Sequence, residues 1–137
     1  MKKNEAELLL GIHLREHFPT ASIEREYRFS TLREWRFDYA ISVLNLAFEC
    51  EGGLWINGRH SRGSGYQEDL DKYNVAAIMG WRVIRFSVDD INKGRDLQIL
   101  KGVTPMAKPK RTKKTARPEN PPPEPKVGKR DPMDFSR

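Results

Sequence analysis

The chain has 137 residues, 37% of them hydrophobic, with 25 Lys+Arg against 19 Asp+Glu and a net charge of +6. No apolar run approaches the roughly 20 residues of a membrane span, and the opening MKKNEAELLL is too short and acidic for a secretory signal. A lone Cys50 excludes an internal disulfide or a multi-cysteine zinc site.

Charge is unevenly spread. Residues 1–103 hold 15 Lys+Arg and 15 Asp+Glu, whereas residues 104–137 hold 10 against 4, together with eight of the nine prolines. This predicts a neutral globular domain over 1–103 and a basic, proline-rich tail over 104–137. The expected setting is reducing and cytoplasmic.

In chain order, residues 4–17 predict a helix. Leu8 and Ile12, and Leu10 and Leu14, form apolar pairs at helical spacing on different sides, so broad coverage of the helix is expected. Asn4 is the expected cap, and Glu5 and Glu7 suit the positive end of the helix dipole.

Three segments of period two follow, at 24–29, 34–41 and 44–51. The second places Trp35, Phe37, Tyr39 and Ile41 on one face and Arg36, Asp38 and Ala40 on the other. In the third, Leu44, Leu46, Phe48 and Cys50 oppose Asn45, Ala47, Glu49 and Glu51. Short gaps between the segments favour an antiparallel meander.

Residues 52–65 hold five of the ten glycines and read as a loop. A second helix is predicted over 66–79, closed by Gly80. WRVIRF at 81–86 reads as a buried strand, and VDDINKG as a short helical connection. From about residue 104, Pro and Lys dominate, a composition expected to stay disordered. The order predicts an α/β (α+β) domain with a mixed sheet flanked by helices.

Acidic residues interrupt this pattern where strands should be apolar. Glu49 and Glu51 share one strand face, about 7 Å apart for a rise of about 3.4 Å per residue. If 34–41 and 44–51 pair as a hairpin, Asp38 converges on them. Crowded carboxylates repel and are best tolerated around a cation, and Mg²⁺ prefers a few carboxylates plus water and phosphate oxygens. Such a site suits metal-assisted phosphodiester hydrolysis. The bland alternative is the wet side of a sheet.

In the glycine-rich loop, His60 could serve as general acid or base, and Arg59 and Arg62 could hold phosphates bidentately. Lys72, three residues after Asp69, could pair with it on the helix surface. Trp55 could stack on a base or cap the core. Trp35 and Trp81 read as core.

The span from Glu7 to Phe86 resembles the PD-(D/E)XK nuclease superfamily, in the branch of small proteins related to very-short-patch repair endonucleases. The resemblance rests on ELLLGIHLR at 7–15, RFDYAI at 36–41, AFECEGGLW at 47–55, GRH at 58–60 and DKYNVAAIMGWRVIRF at 71–86. It implies a restriction-endonuclease-like mixed sheet and DNA cleavage dependent on Mg²⁺, with Mn²⁺ as a substitute. It also suggests a bacterial or phage-infected cell.

By position, Asp38 matches the first metal-binding aspartate and Glu49 the second acid. Glu7 resembles the first-helix glutamate, and His60 the loop histidine that assists hydrolysis. The superfamily lysine falls at Glu51, which can become a further metal ligand but cannot act as an ammonium. Lys72 or His60 would then supply the missing cation, or hydrolysis has been lost. The expected catalytic set is thus Asp38, Glu49, Glu51, His60, Lys72 and Glu7, with Asp38, Glu49 and Glu51 on the metal. Glu26 lies on a flanking strand, outside that set.

DNA contact would fall to Arg36, Arg59, Arg62 and the tail cations Lys110, Arg111, Lys113 and Lys114, which bind phosphate through counterion release. PPPEP at 121–125 offers a polyproline ligand to a protein partner. A homodimer would suit paired cuts. The expected function is a structure- or damage-directed endonuclease. The alternative is a non-catalytic DNA-binding or complex-assembly protein of the same fold.

Overall fold

A computed structural model of the chain describes residues 1–52, 64–103 and 123–128. Its elements are α1 (Lys3–His17), β1 (Glu24–Arg28), β2 (Arg36–Ile41), a 3₁₀ turn (Ser42–Leu44), β3 (Leu46–Glu51), α2 (Ser64–Ile78), β4 (Arg82–Ser87), α3 (Val88–Asn92) and α4 (Arg95–Lys101). The sheet order is β1-β2-β3-β4, antiparallel except for the parallel β3–β4 pair. The architecture is α+β, a four-stranded mixed sheet flanked by helices. The expected meander and helical crossover are both present. No helix among the described residues is long and apolar enough to cross a membrane.

The sheet carries a core on each face. On one, Ala6, Leu10 and Leu14 of α1 pack with Tyr39, Ile41, Leu46, Phe48 and Cys50, joined by Phe86, Ile91 and Leu100. On the other, Val75 and Ala76 of α2 pack with Phe29, Trp35, Phe37, Ala40 and Ala47. Trp35 and Trp81 belong to this second core, as expected.

Several details depart from the sequence expectations. Helix α1 buries one stripe, Ala6, Glu7, Leu10, Gly11 and Leu14, while Leu8 and Ile12 are about half exposed at 53% and 49%. Coverage is therefore narrow, because the sheet, α3 and α4 all lie on one side of the helix. Glu5, rather than Asn4, closes its first turn, accepting the Lys2 N–H at 3.1 Å. Trp35 and Phe37 face the α2 core while Tyr39 and Ile41 face the α1 core, so β2 changes faces at Asp38. Helix α4 was not legible as an element; its Leu100 completes the first core, and its buried Asp96 Oδ2 lies 2.5 Å from His13 Nδ1 of α1.

One short piece of the tail departs from the disorder expected of the whole. Residues 123–128 pack onto the body: Val127 lies against the second core, and Glu124 accepts hydrogen bonds from Ser30 and Thr31. Composition predicted disorder because it counts the apolar area a segment can bury, and this segment is held mainly by hydrogen bonds.

Gly11 admits the closest approach in the core. A Cβ there would lie 2.4 Å from the Tyr39 hydroxyl oxygen, which donates to the Glu7 carbonyl at 2.8 Å. Gly11→Ala should therefore cost about 1–3 kcal/mol by overpacking. Urea denaturation measures it, and an unchanged midpoint would contradict this packing.

Candidate metal centre

Asp38 stands where β2 leaves its regular ladder. The β2–β3 pairing runs through Tyr39↔Phe48, Ala40↔Ala47 and Ile41↔Leu46 and goes no further. Beyond it, Asp38 Oδ2 accepts the Cys50 N–H at 2.8 Å, replacing a ladder carbonyl. The carboxylate is thereby fixed through one oxygen, leaving the other for a ligand.

Glu26 lies between the paired residues Arg25 and Tyr27, just as Asp38 lies between their partners Tyr39 and Phe37. Its φ of 53° is left-handed, a conformation costly for a glutamate. Glu7 projects from the buried stripe of α1. Carboxylate oxygens of Glu7, Glu26 and Asp38 all lie within 4.8 Å of one another. Glu7 Oε1 is buried without a hydrogen-bond partner, with the Arg25 guanidinium 3.5 Å away.

A second group adjoins the first through β3. The alternation that sends Phe48 and Cys50 into the α1 core sends Glu49 toward α2, where Ala47, Val75 and Ala76 let the helix approach. Lys72 Nζ lies 2.5 Å from Glu49 Oε1, and the Tyr73 hydroxyl donates to Glu49 Oε2. That hydroxyl is also 3.2 Å from Glu51 Oε1, which accepts from Arg85 Nε at 2.7 Å. Arg85 in turn stacks 4.2 Å over the Tyr73 ring.

Electrostatics separate the acids. Burial raises the Asp38 pKa, aided by the Glu7 charge and opposed by the Cys50 N–H, Lys3 and Lys72. Burial also raises Glu49, against the hydrogen bonds from Lys72 and Tyr73. For Glu51 the upward push of burial is outweighed by Arg85 and Tyr73, so its pKa falls. Burial and the neighbouring carboxylates drive Tyr73 far upward, keeping it a donor.

Asp38, Glu49, Lys72 and Glu7 thus gather in one region. Of the acids expected on the metal beside Asp38, Glu49 is held by Lys72 and Tyr73 and Glu51 by Arg85 and Tyr73; neither joins the cluster of Glu7, Glu26 and Asp38. Glu26, held outside the expected set, joins Asp38. Arg36 is exposed at the start of β2. His60, Arg59, Arg62 and Trp55 lie outside the described residues, as do Lys110, Arg111, Lys113 and Lys114.

Three contributors escaped the sequence reading. Tyr73 was hidden beside Lys72 in an ordinary helical pattern. Arg25 shares a strand with Glu26, but its reach to Glu7 depends on how α1 packs. Lys3 lowers Asp38 from the start of α1, its stem crossing Gly52, where a Cβ would lie 2.5 Å from Lys3 Cδ. The EGG sequence at 51–53 was the available signal.

Comparisons with protein-family models, with curated proteins and with solved structures found no match.

Proposed function

We propose that the chain is a Mg²⁺-dependent endodeoxyribonuclease that hydrolyses phosphodiester bonds in structure- or damage-directed fashion. The observation that carries this reading is the convergence of Glu7, Glu26 and Asp38 within 4.8 Å around the buried Glu7 Oε1, which makes no hydrogen bond among the described residues and faces only the longer Arg25 contact at 3.5 Å. The resemblance described from the sequence supports the choice of DNA as substrate.

The donors fit the ion: all are hard carboxylate oxygens, as Mg²⁺ and Mn²⁺ favour, and the buried Glu7 Oε1 makes no hydrogen bond among the described residues, with Arg25 at 3.5 Å as its neighbouring cation. Glu7, Glu26 and Asp38 would hold the metal. When bound, it supplies a Lewis acid for the scissile phosphate and lowers the pKa of a coordinated water.

The protein's own groups divide the remaining work. Cys50 fixes the Asp38 carboxylate through its amide. Lys72, braced on Glu49, supplies the cation missing at Glu51 and orients the phosphate or the attacking water. Glu49, made more basic by burial and held by Lys72 and Tyr73, would be the residue to accept a proton from the attacking water. Glu51 and Arg85 hold Tyr73, and Tyr73 holds Glu49 in place. The reading places the protein in a bacterial or phage-infected cytoplasm.

The test is incubation of full-length protein with plasmid, single-stranded, mismatched and four-way-junction DNA, with Mg²⁺, with Mn²⁺ and with EDTA. Cleavage is expected with either metal and none with EDTA. Absence of cleavage on every substrate, with binding retained, would favour the second reading, a non-catalytic DNA-binding or assembly protein. The Glu51–Arg85 pair favours that alternative, since an acid tied to an arginine stands where the superfamily places its lysine.

A further inference from the structure

The turn between β1 and β2 gathers donors and positive charge. Ser30, only 3% exposed, accepts the Leu32 and Arg33 N–H groups on its Oγ at 3.2 and 2.9 Å. Its own O–H points outward and donates to Glu124 Oε1. Thr31 donates to Glu124 Oε2 twice, through its N–H at 2.9 Å and its hydroxyl at 3.1 Å.

Arg28 Nε donates to the Ser30 and Arg33 carbonyls at 3.2 and 3.3 Å. Arg33 donates to the Val127 carbonyl at 2.8 Å. Arg28 also stands directly opposite Arg36 across the β1–β2 ladder. Like charges so placed destabilise a strand pair unless an anion lies near.

We propose that the Ser30–Arg33 turn is a phosphate seat which Glu124 occupies in the free protein, and that a DNA backbone phosphate displaces it. The DNA source rests on the nuclease reading above. The seat itself does not.

A phosphodiester carries one negative charge over two non-bridging oxygens, matching the carboxylate that now receives these bonds. Backbone N–H groups and hydroxyls are common phosphate donors, and the three arginines complement the strand that would follow. Glu124 is ionised at neutral pH: burial works against its charge, but the Ser30 and Thr31 bonds outweigh burial and lower its pKa. The segment around it is thus an internal competitor. An occupied seat weakens apparent affinity by the fraction left open.

The experiment follows backbone amide signals of full-length protein during titration with inorganic phosphate and, separately, with a short DNA duplex. Chloride at matched ionic strength is the control. Both ligands should shift the Thr31, Leu32 and Arg33 amides, and the Val127 amide should move as its segment leaves. Glu124→Gln should bind each ligand about tenfold more tightly, and adding Thr31→Val should reverse that gain.

Unmoved turn amides with phosphate in both wild type and Glu124→Gln would overturn the seat, as would equal shifts with chloride. Duplex binding that leaves the turn unmoved would also overturn it, without touching the nuclease reading. Phosphate at the turn with no duplex binding would keep the seat and overturn the DNA reading.

Discussion

Asp38→Asn is expected to abolish metal-dependent cleavage while leaving the metal-free protein folded and more stable than wild type at pH 7. The loss should reach at least a thousandfold, because a metal centre supplies several kcal/mol of charge stabilisation and each ~1.4 kcal/mol is tenfold in rate. Asparagine keeps an oxygen to accept the Cys50 N–H, so the local backbone has no reason to move.

The stability gain follows from linkage. The Asp38 pKa is raised in the folded state, so between the unfolded and folded values the native state holds more protons, and stability falls as pH rises through that window. A neutral side chain removes the penalty. Thermal unfolding checks this directly: Mg²⁺ should raise the wild-type midpoint at pH 7, less so near pH 4.5, where protons compete. It should not move Asp38→Asn. Cleavage by Asp38→Asn at the wild-type rate would remove Asp38 from the chemistry.

Lys72→Met is expected to be the most damaging single change to stability near the site. The Glu49 side chain is only 6% exposed and the Lys72 side chain 16%, so removing the ammonium strands a buried carboxylate. Breaking such a pair costs about 3–5 kcal/mol, the lower end applying here because Tyr73 still donates to Glu49.

The pH dependence has a definite sign. Glu49 already has a raised pKa, and without Lys72 it rises further, so the deficit should grow from pH 5 to pH 8. Lys72→Met/Glu49→Gln should recover most of the stability and none of the cleavage, separating the structural role of Lys72 from its part in the reaction. Urea denaturation of the two variants decides it. Equal loss in both would mean that the carboxylate was not the source.

Much of the frame was legible because burial imposes periodicity. The alternation along β3 placed Phe48 and Cys50 opposite Glu49 and Glu51, and Gly80 ended α2 with its φ of 88°. Asp38 stood out as a carboxylate inside an apolar strand. What stayed hidden depended on geometry that residue type does not encode. Nothing in a glutamate announces a left-handed backbone, so Glu26 read as an ordinary flanking acid. The change of faces at Asp38 breaks the very periodicity used to read β2. The Glu51–Arg85 pair needs the parallel β3–β4 pairing, and the Glu124 contact joins residues more than ninety positions apart.

Glu26 also bears on how this protein can vary. Its backbone conformation suits glycine without penalty and asparagine with little, so Glu26→Gly or Glu26→Asn would relieve strain that sites of this kind store at about 1–3 kcal/mol. The more comfortable residue is also the one that removes a carboxylate from beside Glu7 and Asp38. At this position robustness and metal affinity pull in opposite directions. A library selected for thermal resistance alone would drift toward glycine or asparagine here, and one selected for metal-dependent activity would keep the strained acid.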